Sequence, residues 1–149
     1  ITAPAGEHHA LVDNVRGQTN GVESAPLAES ASHANVDPSE RAALLMLDRA
    51  CGRDRETWTK ACSGRNCRFL RSEQEPMLGM EALRSKTAEE PGSVRSTPDA
   101  AFVSGDLGYA YGTYERAQPV QEKGAYLRIW RMQAERWTVV LEMLCPYPA

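Results

Sequence analysis

The last third of the chain alternates apolar and polar positions at the two-residue period of β-strands, whose successive side chains point to opposite faces. Asp99 to Ser104 (DAAFVS) reads as a strand, and Gly105-Asp106 as a hairpin turn, a place that selects Gly and Asp. The next strand carries Leu107, Tyr109, Tyr111 and Thr113 on one face and Gly108, Ala110, Gly112 and Tyr114 on the other. Small residues on the second face allow another element to approach closely, or the strand to bend. A polar loop follows over Gln118 to Gly124, and Ala125 to Gln133 then alternates again, with Tyr126, Arg128, Trp130 and Met132 on one face. Ala134-Glu135-Arg136 turns the chain into Trp137 to Leu144, where Glu142 interrupts an apolar run on the face of Val140 and Leu144. A carboxylate there is partly desolvated and must find a partner; Arg128 on the neighbouring strand is the obvious one.

Upstream the period lengthens to that of helices. Asp37-Pro38-Ser39-Glu40 is a helix start: Asp37 caps, Pro38 suits the first helical position, and Glu40 can complete a capping box. Leu44, Leu47 and Cys51 then share a face, and Gly52 ends the helix. Asp54 caps a second, short helix bearing Trp58 and Cys62. Ser63-Gly64 breaks the pattern before a strand over Asn66 to Arg71, and Ser72 to Pro76 is a turn. Gly79 to Lys86 reads as a third helix with Met80 and Leu83 inward and an exposed Glu81–Arg84 pair of little energetic weight.

Composition narrows the chemistry. The 149 residues, 42% of them hydrophobic with a net charge of -3, fit one soluble domain, and no apolar run nears the roughly 18 residues that would cross a bilayer. Residues 1–37 have a net charge of -4, no aromatic side chain and little periodicity, so they are expected to form an acidic arm or linker that contacts a protein partner, with residues 38–149 as the domain. The domain's net charge of +1 lacks the basic excess that nucleic-acid binding requires. All three histidines (His8, His9, His33) lie in the arm. A Ser-His-Asp or Cys-His nucleophilic site and a histidine-ligated metal centre are therefore excluded from the domain, and no metal or cofactor is expected. The four cysteines include no CxxC pair; Cys62 and Cys67 are either a disulfide in an exported protein or buried thiols. The chain begins at Ile1 rather than Met, which fits export or organelle targeting after removal of an upstream segment, or a preceding domain.

Two readings of Arg128 and Glu142 compete on these grounds. In one they are a buried ion pair fixing strand register; in the other they line a cavity, Glu142 acting as acid/base or orienting carboxylate and Arg128 holding an anionic group.

The runs GDLGYAYGTYE and GAYLRIWRMQAERWTVVLEM, with the upstream order of helices and the Gly79-to-Leu83 helix start, resemble the nuclear transport factor 2-like superfamily over residues 41–145, most closely its SnoaL-like group of small proteins. The resemblance implies an α+β fold, a cone-shaped curved antiparallel sheet packed on N-terminal helices (a cystatin-like roll), with a pocket at the open end and dimerisation through the sheet. By position, Glu142 matches a pocket aspartate of superfamily enzymes such as ketosteroid isomerase and the polyketide cyclases. Arg128 matches a pocket arginine of the calmodulin-dependent kinase association domain, and Tyr111 lies where another pocket side chain is common. The chain departs from the pattern in having Glu for Asp at 142 and no histidine for a dehydratase-type dyad. The expectation is a non-catalytic domain that binds a small apolar or anionic ligand, walled by Trp58, Tyr109, Tyr111 and Trp130 and oriented by Arg128, or that serves as a homodimerising assembly module. The alternative is a cofactor-independent isomerase or cyclase with Glu142 as general acid/base and Tyr111 as its donor.

Overall fold

The computed structural model describes residues 37–90 and 92–148. The expected arm therefore lies outside the described residues, apart from Asp37. Helix α1 (Pro38–Cys51) starts where Asp37 accepts hydrogen bonds from the Ser39 N–H at 2.9 Å and the Ser39 hydroxyl at 2.8 Å. Helix α2 (Arg55–Ala61) starts where Asp54 accepts from the Thr57 N–H at 3.2 Å. Short strands β1 (Arg68–Leu70) and β2 (Met77–Leu78) precede helix α3 (Met80–Lys86). The long strands β3 (Arg95–Ser104), β4 (Leu107–Arg116), β5 (Glu122–Gln133) and β6 (Arg136–Pro146) follow.

All six strands form one sheet in the order β2-β1-β6-β5-β4-β3. Pairing is antiparallel except between β1 and β6, which run parallel. Strand β3 begins at Arg95, four residues ahead of the expected Asp99, and β5 begins at Glu122 inside the expected loop, because both extend along the full length of β4. Irregularities at Pro98/Ala100 and opposite Ile129/Trp130 bend the sheet, and Pro98 is tolerated because β3 is an edge strand. The second irregularity changes one face assignment. Trp130 pairs with Val139 and Ile129 with Leu141, so Val140 is the extra residue and Val139, not Val140, is the buried neighbour of Glu142.

The helices cover the inner face of the sheet. Leu44 and Cys51 of α1, Trp58 and Ala61 of α2 and Leu83 of α3 join Phe69, Ala101, Val103, Ala110, Trp130 and Val139 in one core cluster. The small residues of β4 make this possible. A Cβ at Gly108 would stand 2.6 Å from Leu44 Cδ2, so α1 packs at a distance that only glycine allows. No described helix is long and apolar enough to cross a membrane.

Candidate functional site

The inner face is polar at its centre. Pairing aligns Ala101, Ala110, Arg128, Glu142 and Phe69 across five strands, with alanines on one side of the arginine. Both charged residues are 1% exposed. Arg128 Nε donates to Glu142 Oε2 at 2.8 Å, Nη1 donates to Asp48 Oδ1 at 3.3 Å, and Nη2 donates to Ser96 Oγ at 3.0 Å. Its guanidinium also lies over the Tyr126 ring, 4.6 Å from the centroid. Asp48, on α1, accepts in addition from Trp130 Nε1 at 3.1 Å and from the Tyr126 hydroxyl. Glu142 accepts from the Trp58 indole at 2.7 Å and from Arg71 Nη2 at 2.7 Å.

The electrostatics follow from this geometry. Burial alone pushes the Glu142 carboxyl up, but the guanidiniums of Arg128 and Arg71 and the Trp58 indole outweigh it and hold the group at about 2, against an ordinary 4.5. Burial pulls both arginines down while Glu142, with Asp48 for Arg128 and Glu89 for Arg71, raises them beyond their ordinary value. Burial, reinforced by the neighbouring Asp48 carboxylate, raises Tyr126 well above its ordinary value. The two guanidiniums and the Glu142 carboxylate are thus held ionised at neutral pH.

The ion chain continues outward. Arg71 grips Glu89 with Nε at 2.8 Å and Nη2 at 2.9 Å, and Arg116 Nη1 reaches the same carboxylate at 3.1 Å. Arg116 Nη2 meets Glu122 Oε2 at 3.1 Å, and the Tyr114 hydroxyl donates to that oxygen at 2.6 Å. Acid and base alternate without a gap from Asp48 through Arg128, Glu142, Arg71, Glu89 and Arg116 to Glu122. The chain surfaces at a cleft of about 260 Å³ lined by Arg71, Lys86, Glu89, Arg116, Glu122 and Leu144 among others. Neither Arg128 nor Glu142 lines this cleft. Among the described residues no group of three His, Cys, Asp or Glu side chains is placed to hold a metal ion. Cys62 and Cys67 are free, buried thiols.

No family model matches the chain, and no curated protein sequence matches it. Solved structures do. A nuclear transport factor 2-like protein of unknown function from Pseudomonas putida superposes with a TM-score of 0.56 at 12% identity, over 74% of this chain and 88% of that one. A second, from Shewanella oneidensis, gives 0.51 at 12% identity over 72% and 98%. The association domain of the C. elegans kinase CaMKII gives 0.46 at 16% identity over 69% and 89%. The fold is nuclear transport factor 2-like.

Within this nuclear transport factor 2-like fold the expected site residues separate into two groups. Trp58, Trp130, Arg128 and Glu142 meet inside, the two indoles binding the two carboxylates. Tyr109 and Tyr111 do not join them; they lie on the opposite, outer face, 39% and 42% exposed. The expectation that they wall a pocket with Glu142, and that Tyr111 serves it as a donor, is corrected by register. Ala110, not a tyrosine, pairs with Arg128, while Tyr109 pairs with Ile129 and Tyr111 with Leu127. Alternation separates the faces of β4 correctly but does not say which is inside until its pairing with β5 is known. Five charged residues of the network escape the sequence reading, Arg116 and Glu122 at its rim and three more. Asp48 lies in the stripe of Leu44 and Cys51, four residues after the first and three before the second, and that spacing is a usable signal. Arg71 follows Phe69 by two and shares its inward face, a weaker signal. Glu89 is in an irregular segment, and nothing local marks it.

Proposed function

We propose that the chain is a non-catalytic binding and assembly domain that pairs with a second copy through the outer face of its sheet and holds a small apolar or anionic molecule at the open end of its curve. The observation that carries the assembly reading is the outer face itself. Register places Phe102, Tyr109, Ile129 and Leu141 in one row and Ala100, Tyr111, Leu127, Met143 and Leu70 in the next. These nine side chains are apolar or aromatic, and each is half-buried or exposed, while the first row ends on the charged, exposed Arg68 of β1. Contiguous apolar surface of this kind marks an interaction site, and a sheet face spanning five strands is of the order of the roughly 800 Å² per partner that a stable interface covers.

The isomerase or cyclase alternative has less support. A general base works best with a pKa near the working pH, whereas Glu142 sits at about 2, accepts three N–H groups and is sealed from solvent. The pair instead resembles a structural ion network.

Sedimentation velocity tests the assembly reading. The chain is expected to sediment as a dimer at micromolar concentration, and Leu127→Glu, which sets a charge at the centre of the outer face, should yield a folded monomer. A wild-type chain that stays monomeric at about 100 μM, well above the Kd of a specific interface, would overturn it.

A further inference from the structure

The cleft where the ion chain surfaces has an excess of hydrogen-bond donors. Its two carboxylates are heavily committed: Glu89 accepts three N–H bonds from Arg71 and Arg116, and Glu122 accepts from Arg116 and Tyr114 on one oxygen. The donors are not exhausted in return. Arg116 Nε–H is buried without a partner among the described residues, although both terminal nitrogens of the same guanidinium are paired. Lys86 borders the cleft, is exposed, and forms no ion pair among the described residues. The Nε–H is itself sealed from solvent, so the donors a ligand can reach are the Lys86 ammonium and the terminal nitrogens of Arg116, whose side chain is 16% exposed. The cleft walls also include Leu144, which is buried, with Pro119 and Pro146. A volume of about 260 Å³ is below the usual range for drug-sized ligands, roughly 300–1,000 Å³, so the occupant must be small.

The geometry points to this cleft, rather than the Arg128–Glu142 centre, as the binding site for a small carboxylate with a compact apolar body. The carboxylate lies between Lys86 and the terminal nitrogens of Arg116, and its apolar end rests on Leu144 and the two prolines. Glu89 and Glu122 hold Arg116 in place and, being of like charge, disfavour ligands with more than one negative charge. This site rests on the reading of the chain as a binding domain and names the ligand class for it; Arg128 then orients nothing but its own network.

The test uses benzoate as probe, titrated into the full isotopically labelled chain at pH 7 and followed by NMR, with benzamide and inorganic phosphate as matched controls. Benzoate is expected to give saturable shifts confined to the cleft, around Gln74, Lys86, Thr87 and Glu122, with benzamide and phosphate binding at least roughly tenfold more weakly, the factor set by one charge-assisted contact. Lys86→Ala, which removes an exposed side chain and should leave the fold intact, should weaken benzoate several-fold, and Arg116→Lys should weaken it further. Equal binding of benzamide, an unchanged affinity in Lys86→Ala, shifts centred on Trp58 and Trp130, or no saturable shift at all would each overturn the assignment. Sedimentation of the same samples separates the two ideas: dimers that ignore benzoate refute the cleft alone.

Discussion

Replacing Glu142 by Gln asks most directly whether the buried carboxylate is a structural charge. The substitution is nearly isosteric, but its amide can offer only one acceptor oxygen where three N–H donors now converge, from Trp58, Arg128 and Arg71. Its NH₂ group would face one or more of those donors. Arg128 would keep Asp48 and Arg71 would keep Glu89, so the network is damaged rather than abolished. The difference between a folded-state pKa of about 2 and an ordinary 4.5 corresponds to about 3 kcal/mol of preference for the ionised form. Breaking a buried pair from one side costs about 3–5 kcal/mol by comparison. A loss of about 3 kcal/mol should lower Tm by roughly 10–20 °C in a domain of this size. The sign of the pH dependence is fixed. The folded-state pKa is depressed, so this contribution is fully present above pH 4.5 and is lost as pH falls towards 2. Urea unfolding by circular dichroism at pH 7 and pH 3 should therefore show a large gap between wild type and Glu142→Gln at neutrality that narrows in acid, where the carboxyl of the unfolded chain is already protonated while the folded one is still ionised. A gap below about 1 kcal/mol at pH 7, at the ordinary level of a surface substitution, or a gap that does not change with pH would refute the structural assignment.

Two further outcomes follow from the same packing. Trp58→Phe keeps the ring but removes the indole donor to Glu142, and should cost about 1–2 kcal/mol in urea midpoint measurements, less than Glu142→Gln because both guanidiniums remain. Gly108→Val places side-chain atoms against Leu44 Cδ2, 2.6 Å from the first added carbon, and against the Phe102 carbonyl at 3.1 Å; it should cost about 1–3 kcal/mol or more, read in the same assay.

The extent to which the fold is legible in the sequence depends on how local each determinant is. The caps at Asp37 and Asp54 act within three residues, and the helices begin where they predict. The long strands are legible for the same reason, since alternation is a property of consecutive residues. Glu142 and Arg128 are found together because a lone carboxylate in an apolar run needs a cation, and the antiparallel hairpin supplies one in register. What fails is what depends on distant segments. The inside of β4 is decided by its neighbours, Leu44 above Gly108 and Arg128 beside Ala110, so alternation alone does not place the tyrosines outside. The parallel docking of β1 against β6 joins segments some 70 residues apart, and Glu89 enters the network from a stretch with no period at all.

The same packing explains why, among the described residues, the space over Arg128 is taken by side chains. Inward positions on β4 are Gly108, Ala110, Gly112 and Tyr114, and their partners on β5 are Trp130, Arg128, Tyr126 and Gly124. Small faces large in each of the first three pairs, and the order reverses in the fourth. The volume that β4 gives up is occupied by the long side chains of β5, which reach across to Asp48 on α1 rather than to a guest. At the fourth pair the large residue is Tyr114, and its hydroxyl is spent on Glu122 at the rim. Beyond that point the next inward β5 side chain is Glu122, tied to Arg116 and Tyr114, and the cleft opens beside it, between Arg116 and Lys86. Alternation of residue size along β4 and β5 thus fills the centre around Arg128 and leaves the open space at the rim.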